Sequence, residues 1–232
     1  MALPFFYEKE LVAGSGAFTL GEETSKHCIQ VLRMRSGDSL NLTDGRGNLI
    51  TASILNPDRR ATEVKLHSFE FQPAASRKVT LAVSLLKNAS RFEWFLEKAT
   101  EIGVARIIPL LCERTERQQF RFSRMNSILI SAMLQSQQVW LPVLEEARPF
   151  RAIVEEAHSR KFIAHCSEGN KAKLNAATIT DDVAMLIGPE GDFSPAETAL
   201  ALEKNFQPVS LGDTRLRSET AAIVAATLLM NL

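Results

Sequence analysis

The chain has 232 residues, in which 27 lysines and arginines balance 27 aspartates and glutamates and 45% of residues are hydrophobic. That length accommodates one large domain or two small ones, and the composition excludes a disordered chain of low hydrophobicity and high charge. A net charge of zero argues against a uniformly basic nucleic-acid binder, but leaves open how charge is spread along the chain.

The first ten residues hold no basic region followed by an apolar one, so no secretory signal is expected. The longest apolar stretch, residues 221–230, is about half of the roughly 20 residues a membrane-spanning helix needs. A cytoplasmic protein without membrane contact is the expectation. Cys28, Cys112 and Cys166 are far apart and lack C-x-x-C spacing, which fits neither a disulfide framework nor a zinc site. They read as buried or inert thiols, and no metal is expected.

In chain order, the pattern predicts a helix over 22–34 that stops before Gly37. Short alternating segments follow at 39–43, 49–55 and 62–71, separated by the turns Asp44-Gly45-Arg46-Gly47 and Asn56-Pro57-Asp58. That is the spacing of a small antiparallel sheet or barrel. Gln72-Pro73-Ala74-Ala75-Ser76 is a short linker of polar and small residues, placing one domain at 1–72 and another at 77–232. Beyond it, apolar runs of strand length at 79–85, 104–111, 162–166, 183–187 and 207–211 alternate with helical patterns. Those helices are expected from Ser90 to Gly103, at 124–139, at 151–158, from Ser194 to about 204, and at 218–230. Ser90-Arg91-Phe92-Glu93 and Ser194-Pro195-Ala196-Glu197 have the capping-box form, and Gly103 is a natural stop. The alternation predicts an α/β fold with a mostly parallel sheet covered on both faces.

Two loops carry the candidate chemistry. In Gly188-Pro189-Glu190-Gly191 a buried strand ends and a capped helix soon begins, where open α/β sheets bind ligands. The glycines would let a flat ligand approach the main chain; a plain strand-to-helix turn explains the pattern equally well. Leu211-Gly212-Asp213-Thr214-Arg215-Leu216-Arg217-Ser218-Glu219 again joins a strand to a helix and concentrates ionisable groups. Taken alone it reads as a solvated helix cap, with Ser218 as cap and Glu219 favoured by the helix dipole. Two such loops together point to a site.

These loops, with Val31-Leu32-Arg33-Met34, the Asp44-Gly45 turn, the segment from Lys87 to Val104 and Glu113-Arg114, resemble the bacterial small-subunit ribosomal RNA uridine-N3 methyltransferases of the SPOUT class. The resemblance covers nearly the whole chain. It implies a PUA-like RNA-binding β-barrel over 1–72 and a SPOUT-type α/β domain with a carboxyl-terminal trefoil knot over 77–232. Periodicity alone would not suggest a knot, because threaded chains are so rare. It further implies S-adenosyl-L-methionine as cofactor, a homodimer, and 16S ribosomal RNA as substrate, free or in the assembled small subunit. Carried over position by position, the cofactor cradle is Leu186, Gly188, Pro189, Glu190 and Gly191 on one loop and Leu211, Gly212, Leu216 and Arg217 on the other, with His165 nearby. The chain departs from many relatives at Leu134, Gln135 and Gln138, where a Glu-Gln pair and an Arg are common.

The implied reaction removes the weakly acidic N3 proton of uridine and displaces a methyl group from a sulfonium. Arg217 is the candidate to stabilise the developing anion. Glu219 would orient Arg217, accept the proton, or serve only as a helix-start carboxylate. RNA contact is expected from charge: segments 1–76, 77–125 and 126–232 carry net −1, +5 and −4. Arg33 and Arg91, with Arg114, Arg117, Arg121 and Arg124 recurring every three or four residues beside Phe120 and Phe122, are the candidate RNA-binding residues. A solvated face of mixed charge is the plainer reading. Two other functions stay open: a non-catalytic RNA-binding or ribosome-assembly protein on the same fold, and a methyltransferase of a different RNA.

Overall fold

The computed structural model describes residues 3–11, 14, 16–116, 119–166, 171–174 and 182–230. The chain divides into two compact units, residues 1–74 with 133–141, and residues 75–132 with 142–232.

The first unit holds β1 (Phe5–Tyr7), β2 (Ala17–Thr19), α1 (Glu22–Lys26), a π-helical turn (His27–Val31), β3 (Ser39–Thr43), β4 (Asn48–Asn56) and β5 (Glu63–Phe71). Its sheet runs β1-β3-β4-β5-β2, antiparallel except where β1 joins β3. Alternate residues Leu40 and Leu42, Ile50, Ala52 and Ile54, and Val64 and Leu66 point into one core with Phe6, Leu20 and Cys28. The single helix expected over 22–34 is instead α1 followed by the π-turn. Leu32 N returns to His27 O and Met34 N to Cys28 O, both at 3.0 Å, while Arg33 takes a left-handed φ of 56°. That kink drops Met34 into the core and ends the helix early.

The segment 133–141 departs from expectation too. The helix predicted over 124–139 ends at Gln135, and Gln137 adopts a φ of 56°. The chain then lies along the first unit's turn: Gly47 N donates to Val139 O at 2.9 Å, Leu141 N to Gly45 O at 2.9 Å, and Trp140 Nε1 to Gln72 O at 2.9 Å.

The second unit holds β6 (Val79–Ser84), α2 (Ala89–Ile102), β7 (Arg106–Leu111), α3 (Phe122–Gln135) except for its last three residues, β8 (Val143–Leu144), β9 (Arg148–Pro149), α4 (Phe150–Val154), β10 (Arg160–Ala164), β11 (Ala172–Lys173), β12 (Val183–Ile187), α5 (Pro195–Glu203), β13 (Gln207–Ser210) and α6 (Ser218–Met230). The sheet order is β11-β13-β10-β12-β6-β7-β8, with β9 also on β7, and every described pairing is parallel. β6 and β12 are buried along their whole length, as unbroken apolar runs in a sheet covered on both faces must be.

One of the two expected capping boxes forms. Ser194 Oγ accepts from Glu197 N, and Glu197 Oε2 accepts from Ser194 N. At α2 the cap is Asn88, whose Oδ1 accepts from Ser90 N at 2.9 Å, while Glu93 is held by Arg124 at 2.6 and 2.9 Å. Gly103 closes α2 with a φ of 93°, as predicted. In α6 the small residues Ala222, Ala225 and Ala226 are buried with Leu229, and the helix packs on α2, β6 and β12. Among the described residues no helix is long and apolar enough to cross a membrane.

Asp44, 4% exposed, holds the turn of the first unit together. Its Oδ1 accepts from Arg46 N at 2.8 Å, and its Oδ2 from Asn48 Nδ2 at 2.6 Å and Arg46 Nε at 3.1 Å. Burial pushes its pKa up, but these hydrogen bonds outweigh burial and hold the carboxyl below its usual range. Its stabilising contribution is therefore fully present above the ordinary aspartate value of about 3.9, and is lost as pH falls through the lower folded value. Asp44→Asn, which sets an amide against these donors, should cost about 1–3 kcal/mol at pH 7. In urea unfolding followed against pH, the gap between variant and parent should narrow below about pH 4.

Candidate functional site

β13, β10 and β12 are adjacent and parallel, so their carboxyl ends deliver three loops to one edge of the sheet. Those loops border a half-open cavity of about 580 Å³, within the range that takes a small organic ligand. Its apolar lining includes Ala164, Ile187, Val209, Leu211, Leu216 and Ala221. Its charged lining is balanced, with Glu190, Asp192 and Asp213 against Lys171, Arg215 and Arg217.

The loop after β12 is shaped by a turn in which Asp192 N donates to Pro189 O at 3.0 Å and Asp192 takes a φ of 63°. The Asp192 carboxylate then accepts from Phe193 N at 2.9 Å and, across the cavity edge, from Cys166 N at 2.8 Å. Gly188 is closely packed on the side away from any ligand. A Cβ there would stand 3.1 Å from Cδ2 of Phe193, whose buried ring packs on Phe150 with centroids 5.3 Å apart. Gly191 faces away from the cavity, toward Arg114.

Within the loop after β13, Ser210 Oγ donates to Gly212 O at 2.7 Å. Gly212 has a φ of 156°, and nothing lies within 4 Å of where its Cβ would be. Open space therefore lies beside this residue of the cavity lining. Beyond β10, Lys171 Nζ donates to His165 O at 2.6 Å. The His165 Nδ1 is buried and has no hydrogen-bond partner among the described residues. Desolvation, with the Lys171 cation adding to it, lowers the His165 pKa. Both effects favour the neutral ring.

Of the sequence-predicted cradle, His165, Gly188, Pro189, Glu190, Leu211, Gly212, Leu216 and Arg217 line the cavity, and Leu186 and Gly191 do not. Leu186 is fully buried in the core beneath it. Glu219 lies outside the lining: it is 7% exposed and faces Arg91, with Nε 3.6 Å from its Oε1. Sequence reasoning missed Asp192, Lys171 and Cys166. Asp192 had a local signal, an aspartate after glycine in a turn leading to a capped helix. Cys166, expected to be buried or inert, is exposed and lines the cavity.

The basic residues do not form one helical face. α3 starts at Phe122, so Arg114 and Arg121 precede it and only Arg124 lies on it; Arg117 falls outside the described residues. Arg124 is paired with Glu93, and Arg114 Nη1 donates to Gly191 O at 2.8 Å. Phe120 and Phe122 pack edge to face on each other at 6.3 Å, and Phe120 also on Phe92. Arg33 and Arg121 are exposed. Gln138 Nε2 donates to Ser136 Oγ at 3.2 Å.

Comparison with known proteins bears on this geometry. A family model described as an RNA methyltransferase domain matches residues 73–230, and one described as an RNA methyltransferase PUA domain matches residues 20–66. A ribosomal RNA small subunit methyltransferase E from Synechocystis is 34% identical over 86% of this chain and 68% of its own. Its namesake from Rickettsia conorii is 28% identical over 94% of this chain and 91% of its own. The crystal structure of the Neisseria gonorrhoeae protein of that name, bound to S-adenosyl methionine, superposes with a TM-score of 0.90 at 27% identity, covering 99% of this chain and 98% of that one.

The lowered His165 pKa gives a direct check on the cavity's electrostatics. An NMR titration should place the His165 midpoint below the ordinary histidine value of about 6.5, and Lys171→Gln should raise it.

Proposed function

Because this chain belongs to the family of ribosomal RNA small subunit methyltransferases E, we propose that it transfers a methyl group from S-adenosyl-L-methionine to N3 of a uridine in 16S ribosomal RNA. The observation that carries this reading is the cavity at the ends of β10, β12 and β13, with Arg217 at its wall. Its chemistry fits the cofactor. A flat adenine suits the apolar lining, a cationic sulfonium and ammonium suit Glu190, Asp192 and Asp213, and a carboxylate suits Lys171 or Arg215. The open space at Gly212 and the unpartnered His165 Nδ1 supply room and a polar contact.

When bound, the cofactor supplies a methyl group already activated by its positive sulfur. The protein's part is to orient the uracil and to stabilise the charge that builds on its imide as the N3 proton passes to solvent water and N3 takes the methyl group from sulfur. Arg217, exposed and immediately before α6, directs its guanidinium charge to that anion, and the amino-terminal end of the helix adds a favourable field. Glu219, buried and turned toward Arg91, holds the start of α6 against α2 instead of taking the proton. Arg33, Arg121 and Arg124 are the side chains we assign to RNA phosphates.

The chain's course after β13, with α6 returning over α2, β6 and β12, suits the carboxyl-terminal trefoil knot of this class. The half-buried Ile223, Val224, Leu228 and Met230 of α6 suit a homodimer. The purified chain, given S-adenosylmethionine and 16S ribosomal RNA, should form 3-methyluridine. Arg217→Ala should slow that transfer by about 10²–10³-fold, measured at saturating cofactor and RNA; an unchanged rate would remove Arg217 from the mechanism.

A further inference from the structure

We propose that Arg114 is a positioning residue for the cofactor cavity and not a phosphate ligand. This inference rests on the methyltransferase reading above and deepens it. Charge pattern alone groups Arg114 with the RNA-facing arginines, but its geometry is different. Its Nη1 donates to Gly191 O at 2.8 Å and lies 3.5 Å from Phe193 O. Gly191 stands between Glu190 and Asp192, two acids of the cavity wall. The aliphatic stem of Arg114 runs beside Gly191, with Cβ and Cδ each 3.6 Å from where a Cβ on that glycine would stand, an ordinary contact distance.

The neighbouring residue makes a second restraint on the same loop. Glu113 N donates to Glu197 Oε1 at 2.8 Å, and Glu197 in turn caps α5 through Ser194. A third comes from the loop after β6, where Lys87 N donates to Glu190 Oε1 at 3.1 Å. The segments after β6 and β7 thus brace the turn that carries Glu190 and Asp192, and neither Lys87, Glu113 nor Arg114 is among the residues lining the cavity. Preorganising a loop in its binding conformation strengthens ligand binding by reducing the ordering cost. The Arg114 side chain is exposed, so its loss should disturb that loop far more than overall stability.

Calorimetry with S-adenosylhomocysteine as probe, on the full chain and on Arg114→Ala and Arg114→Lys, tests this. Arg114→Ala should weaken binding by about five- to tenfold, in keeping with one charge-assisted hydrogen bond partly screened by solvent. Arg114→Lys, which can still donate to Gly191 O, should recover most of it. Melting temperature, RNA affinity and the salt dependence of RNA binding should not change. If cofactor affinity is unchanged while RNA affinity falls and its salt slope drops by about one, Arg114 is a phosphate contact and the inference is overturned. A lowered melting temperature with unchanged cofactor affinity overturns it as well. No binding by the unsubstituted chain would overturn the methyltransferase reading itself, and this inference with it.

Discussion

The turn at residues 189–192 is the constraint on which the cavity depends. Asp192 accepts a left-handed backbone, and its carboxylate ties its own loop to Cys166 N in the loop after β10. The two strands concerned, β10 and β12, are neighbours in register, Ala164 opposite Ile187. One carboxylate therefore links two strand ends that the sheet has already brought together. Behind the turn, Phe193 packs closely over Gly188, and its ring joins the loop to the core through Phe150. Sheet, core and turn act in series, and the cavity is what lies between their ends.

The same logic separates two kinds of charge in the second unit. A half-buried network of Arg106, Glu145, Arg148 and Glu156 lies on β7, β9 and the segments beside them, where each arginine is met by two carboxylates. It serves the scaffold. Burial pushes the Glu156 pKa up, but the hydrogen bonds from Arg106 and Arg148 overcome this and keep it low. At the cavity the charges are exposed or half-exposed and of both signs, as a zwitterionic ligand with a flat base requires. The zero net charge of the sequence conceals this division of labour.

Much of this was legible in the sequence where local chemistry alone decides the outcome. The Ser194–Glu197 capping box, the Gly103 stop and the apolar runs of β6 and β12 act through their immediate neighbours, and each took the expected form. Positions decided by tertiary contact were not legible. Ser90 lost its capping role because Asn88 lies two residues ahead of it and Arg124 claims Glu93. The helix over 124–139 was cut short because the chain from Gln137 is held by backbone bonds to Gly45 and Gly47. Eight of the ten expected cradle positions line the cavity. Leu186 and Gly191 miss it because in one case the strand pleat, and in the other the tight turn, points the residue the opposite way. Glu219 could not be judged from spacing, since its partner Arg91 is remote in sequence.

The most direct measurement of the central claim is nucleoside mass spectrometry of 16S ribosomal RNA from cells in which this gene has been deleted. The account predicts that 3-methyluridine disappears from that RNA and returns when the unsubstituted chain is supplied. Persistence of the modification at its original level, with no other copy of the gene in the cell, would contradict it.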